Sequence, residues 1–134
     1  MEQLQPGDSI YEANFLSATN ANASPIVIGA PVYVSAGGSV NLARANASAT
    51  VRVVGLVADT SIVASGSGNI ISDGVLEATT TQWDAVTGGS GGLTAGAIYY
   101  LSEATAGRLR TGVPSTGFMA QIGIALSTTQ LLLE

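Results

Sequence analysis

The chain of 134 residues has no cysteine and no histidine, and all four of its basic residues are arginine. Without cysteine there is no disulfide to staple the fold and no thiolate to attack a substrate or hold a soft metal. Without histidine the commonest general base and the commonest metal ligand are both gone. Lysine is missing too, so no usual base remains to activate the many serines as nucleophiles. Charge is scarce: 10% of residues are charged, and Arg44, Arg52, Arg108 and Arg110 face nine carboxylates for a net charge of -5. Nucleic-acid binding needs clustered positive charge to displace counterions from phosphates, so no nucleic-acid partner is expected. Long apolar runs are also lacking. None approaches the ~20 residues of a membrane-spanning helix, and no membrane partner is expected. The N-terminal "MEQLQPGDSIYEA" carries an acid where a secretory signal carries bases, so it does not read as a signal, and the mature protein is expected to start near Met1.

What the chain does have is glycine, 17 residues of it, and short apolar runs rich in alanine, valine, isoleucine and leucine. Turn residues recur closely, at Pro6-Gly7, Asn20 to Pro25, Gly37-Gly38, Gly66 to Asn69, Asp73-Gly74, Gly88 to Gly92 and Gly112 to Pro114. Between them lie runs such as "PVYVS" (31–35), "TVRVVGLVA" (50–58), "AIYYLS" (97–102), "FMAQIGIALS" (118–127) and "TQLLLE" (129–134). Short β-branched runs bounded by Gly, Asn, Asp, Pro and Ser are the signature of a sandwich or barrel. The fold expected is all-β, a small β-barrel or β-sandwich with little or no helix. It forms one domain over residues 25–134, preceded by an N-terminal segment, 1–24. "TTTQWDAVT" (79–87) fits a helical turn or a loop equally well.

The chain repeats itself. "IVIGAPVYVS" (26–35) falls on "LTAGAIYYLS" (93–102) at a constant offset of 67, matching Gly29 to Gly96, Tyr33 to Tyr100 and Ser35 to Ser102. With small slips, "GSVNL" (38–42) falls on "GRLRT" (107–111) and "RVVGLVA" (52–58) on "AQIGIAL" (120–126), with Gly55 on Gly123. Two related β units, at about 26–58 and 93–126, are therefore expected. Gly29 and Gly96 should be turns and Gly55 and Gly123 bends or close crossings. The repeated tyrosine should fill core with its body and reach a partner or water with its hydroxyl.

Chemistry-bearing motifs are few. Asp59, Asp73, Glu77, Asp84 and Glu103 are the carboxylates from which a glycosidase pair would be drawn, but the "SDG" at 72–74 reads as a turn and the others as solvated rim charges. The glycine-rich "TGGSGGLTAG" (87–96) lacks the lysine of a phosphate-binding loop and leads into a strand. No catalytic residue, metal site or cofactor is assigned, and an enzyme is not expected. Residues fit for contact with a partner are the single tryptophan, Trp83, which suits a core lid and an interface anchor equally. Tyr11, Phe15 and Leu16 lie in the N-terminal segment, which can be an arm added to a neighbour's sheet or a first strand of the chain's own. Arg108 and Arg110 share one face of "GRLRT", with Leu109 on the other.

The stretches "GAPVYVS..GGSVNLARA...VRVVGLVAD" and "GGLTAGAIYYLSEATAGRLRT...FMAQIGIALSTTQLLL" resemble head decoration (capsid cement) proteins of tailed bacteriophages. The likeness covers roughly residues 26–58 and 93–133, and similar stretches occur in phage tail and fibre proteins. The resemblance implies a small all-β module, often a trimer, made in the bacterial host cytoplasm. It would sit on the outer surface of the head, clamp neighbouring major capsid subunits and carry no catalytic residues. The alternative it leaves open is a tail, baseplate or fibre module that binds a receptor or glycan, for which Trp83 beside Asp84 is the one hint.

Overall fold

The computed structural model describes residues 13–133. Among them the short apolar runs become strands β1 (Asn14–Asn20), β2 (Ile26–Val27), β3 (Pro31–Ala36), β4 (Ser39–Leu42), β5 (Val53–Val57), β6 (Ser61–Ile62), β7 (Ser67–Glu77), β8 (Ile98–Leu101), β9 (Leu109–Thr111), β10 (Gln121–Ala125) and β11 (Gln130–Leu133). One helix, α1 (Thr80–Thr87), stands between β7 and β8. The fold is all-β, as expected, and its two halves are related.

In the first half β3 pairs antiparallel with β4 and β5, β5 with the first part of β7, and β7 with β1. β1 then runs parallel to β4, Thr19 opposite Ser39 and Asn20 opposite Val40, which closes a five-stranded barrel with no free edge. Val32, Val40, Val57 and Ile70 are buried in it.

The second half repeats this pattern strand for strand. Pro31, Val32 and Tyr33 of β3 lie opposite Leu56, Gly55 and Val53; Ile98, Tyr99 and Tyr100 of β8 lie opposite Ile124, Gly123 and Gln121. Both ladders slip by one residue at the same place, so Val54 and Ile122 are matching bulges beside the repeated glycine. The glycine is required by close approach: a Cβ on Gly55 would strike the Ile71 carbonyl oxygen, and one on Gly123 that of Leu132. Leu56 and Val57 pair with Ile71 and Ile70 as Ile124 and Ala125 pair with Leu132 and Leu131. β7 belongs to both halves, its last residues, Gly74 to Glu77, pairing with β11.

The halves part company at Thr79. There the chain turns into α1 through a capping box in which Gln82 N–H donates to Thr79 Oγ1 (3.1 Å) and Thr79 N–H to Gln82 Oε1 (2.9 Å). α1 buries Trp83 and Val86, and Trp83 Nε1 donates to the Thr129 carbonyl (2.8 Å). The second sheet, in the order β7-β11-β10-β8-β9, therefore stays open, with α1 against β9. Segment 43–45 of the first half is stitched to it by Gly107 N–H to Ala43 O (2.7 Å) and Ala45 N–H to Ser102 O (2.9 Å).

Two expectations change and one open alternative is decided. Asp73-Gly74 is no turn: both residues are paired within β7, which kinks at Gly74 (φ 108°) and continues. Residues 80–87 are helical. The core tyrosine is Tyr99, in register with Val32, and it accepts from Thr94 N–H through its hydroxyl (2.8 Å); Tyr33 and Tyr100 are half-buried.

Candidate functional site

The residues singled out for partner contact do not converge. Trp83 is 0% exposed, a core residue closed off from any partner, and burial of its ring also removes the Trp83–Asp84 pair as a sugar platform. Asp84 instead accepts from Gly91 N–H (3.1 Å) and Gly92 N–H (2.8 Å), tying the glycine-rich loop back to α1. Tyr11 lies outside the described residues. Phe15, on β1, is 58% exposed, while Leu16 beside it packs against the core. Residues 14–20 are thus a strand of the chain's own barrel.

The two arginines of β9 have separate fates. Arg110 Nη1 donates to both carboxylate oxygens of Glu103 (2.9 and 2.8 Å), and this bond is the main reason the Glu103 carboxyl is held below its ordinary range. Arg44 Nε donates to the carbonyl of the same Glu103 (2.9 Å), so Glu103 fastens the first half to the second. Arg108 is exposed and enters no ion pair among the described residues.

The other carboxylates are also occupied locally. Asp59 accepts from Asn69 N–H (3.0 Å), Asp73 from Asn14 Nδ2 (3.2 Å) and Glu77 from Gln130 Nε2 (3.4 Å). Among the described residues no three acidic groups gather to hold a metal ion, and no helix is long and apolar enough to cross a membrane.

Both halves expose bulky apolar side chains, Phe15, Val34 and Val63 among those of the first, but the second half sets three on one loop. Its β9–β10 loop, residues 112–120, carries Val113 (53% exposed), Phe118 (44%) and Met119 (64%). The loop is pinned rather than loose: Phe118 N–H donates to Ala45 O (2.7 Å), and a Cβ on Gly117 would collide with that carbonyl. A backbone held in this way lowers the loop-ordering cost of any contact that these side chains make. The corresponding loop of the first half, "ARANASATVR" (43–52), has no such residues. The run "FMAQIGIALS" (118–127) predicts a strand that begins at Phe118. The strand starts at Gln121, and the contrast with 43–52 was the available signal.

No protein-family model matches the chain, and no curated protein matches it.

Proposed function

We propose that this protein is a structural, non-enzymatic binding module: a phage virion protein that decorates the outside of the head and bridges neighbouring major capsid subunits. The observation that carries the binding role is the difference between two corresponding loops of the duplication. The first unit is a closed barrel with a polar loop; the second keeps an open sheet and sets Val113, Phe118 and Met119 out on a pinned loop. Exposed bulky apolar groups on one loop of a low-charge chain suit a contact surface. The head, and a trimeric assembly, enter through the sequence resemblance. A trimer would touch several subunits at once, so individually modest contacts would gain through effective concentration.

The test is binding of purified protein to phage heads that lack it, with imaging of the product. Stoichiometric density on the outer shell is expected, together with a trimer mass in solution and loss of binding by Phe118→Asp and Met119→Asp variants that still fold. Density confined to the tail would reject the head assignment in favour of a tail or fibre module.

A further inference from the structure

The two halves differ where β3 and β8 part from the strands beside them. In the second half the ladder runs on past Tyr100 and Gln121: Leu101 N–H donates to the Ala120 carbonyl (2.9 Å), and Leu101 is buried. The first half stops one step earlier, at Tyr33 opposite Val53. There Val53 N–H donates to Val51 O (3.0 Å), a tight turn that draws Arg52 out of the ladder position that Ala120 fills in the second half. Val34, the counterpart of Leu101, is 54% exposed. Its main chain is open as well. Ala43 N–H donates to Pro31 O (2.9 Å), which gives the odd residues of β3 to β4 and turns the N–H and C=O of Val34 towards the place residue 52 has left. A cavity of about 450 Å³ lies here, lined by Tyr33, Val34, Ser48, Ala49, Arg52 and Val54. The small side chains of "NASA" (46–49) leave it unfilled. Arg52 is exposed and enters no ion pair or hydrogen bond among the described residues.

We propose that this cavity captures the C-terminal residue of a partner polypeptide, an apolar side chain together with its free carboxylate. The incoming residue takes the vacated ladder position: its N–H donates to Val34 O, and its carboxylate accepts from Val34 N–H and from the Arg52 guanidinium. Tyr33, Val34 and Val54 give its side chain an apolar wall, in a cavity of the size that holds small ligands. An internal residue of a partner would reach the same main-chain groups but leave the guanidinium unpaired. A simple carboxylic acid would reach the guanidinium but bring no N–H for Val34 O. The site is independent of the capsid role, since it is argued from the open ladder alone.

The test titrates the full-length, isotope-labelled protein with acetyl-Ala-Ala-Val-Leu as the free acid, with the same peptide as its C-terminal amide, and with acetate, followed by NMR of backbone amides and arginine Nε–H groups. The free acid should shift the Val34 amide and the Arg52 Nε–H, and bind about fivefold more tightly than the amide, the upper end of one exposed charged contact. Acetate should bind more weakly than either peptide. Arg52→Gln should bring acid and amide to equal affinity with the melting temperature unchanged, because the Arg52 side chain bonds to nothing else in the described fold. Equal binding of acid and amide by the wild type, an acid preference that survives Arg52→Gln, acetate as tight as the peptide acid, or shifts that fall away from residues 33–34 and 48–54 would each overturn the proposal. These peptides decide the cavity, and binding to phage heads decides the capsid role, so the failure of one is distinct from the failure of the other.

Discussion

Replacing Gly29 and Gly96 with alanine, one at a time, separates backbone strain from packing, because the duplication supplies an internal control. Both glycines open a repeated strand from the left-handed region, at φ 87° and 82°. An alanine there costs about 1–2 kcal/mol in either place, from its Cβ meeting the following carbonyl. Their surroundings differ. A Cβ at Gly96 meets nothing within 4 Å, whereas one at Gly29 would lie 2.9 Å from Cζ3 and 3.2 Å from Cε3 of Trp83, and 3.3 Å from Val86 Cγ2. Trp83 is held by its bond to Thr129 and cannot swing aside without breaking it, so overpacking adds about 1–3 kcal/mol at Gly29. Gly96→Ala should therefore lose about 1–2 kcal/mol and Gly29→Ala about 2–5 kcal/mol. Urea unfolding followed by far-ultraviolet circular dichroism measures both, with unchanged m-values as the check that the unfolded state is the same. In a Trp83→Leu background the loss at Gly29 should fall towards that at Gly96, with the Val86 contact remaining. Equal losses for the two single variants, or an extra loss at Gly29 over Gly96 that is undiminished by Trp83→Leu, would refute the packing of α1 against the first half.

Trp83 is the single tryptophan, so its emission should be blue-shifted and poorly quenched by acrylamide until the protein unfolds; Trp83→Ala should cost about 3–5 kcal/mol in the same urea experiment. Thr79→Ala removes the side chain that accepts from Gln82 N–H and should lower stability by about 0.5–2 kcal/mol. Because Arg110 lowers the Glu103 pKa, that carboxylate contributes stability above the ordinary glutamate range, and the contribution is lost as pH falls through the lower folded value. Carboxyl-carbon NMR should show Glu103 titrating below the ordinary range in the wild type and returning towards it in Arg110→Ala; an unchanged titration would show that the bond does not persist in solution.

The strands and the duplication were legible because each rests on local patterns, whereas the strand order was not. Short β-branched runs mark strands, and a glycine at a fixed place in two runs marks a fixed steric need, which Gly55 and Gly123 meet against Ile71 and Leu132. The alternation in "GRLRT" likewise placed Leu109 in the core with Arg108 outside. What stayed hidden depends on long-range contacts. The parallel closure of β1 on β4 joins residues far apart in sequence and leaves no local trace. Asp73-Gly74 has the composition of a turn, yet partners on both sides hold it extended. The helix was within reach, since Thr79 and Gln82 stand at capping-box spacing, but three successive threonines obscured it. Of the residues singled out for partner contact, Arg108 is exposed as the alternation predicts, and Trp83, for which the sequence leaves core and interface equally open, is buried. The exposure of Phe118 and Met119 leaves no local signature, because it is decided by where their strand begins.

β7 has a mechanical consequence as well. Its eleven residues are shared, the first part laddered to β1 and β5 and the last to β11. A load entering at one half and leaving at the other runs along this strand, across hydrogen bonds perpendicular to it. Such bonds are sheared together, not peeled one by one, so tension passes between the two halves along one continuous strand, through the kink at Gly74.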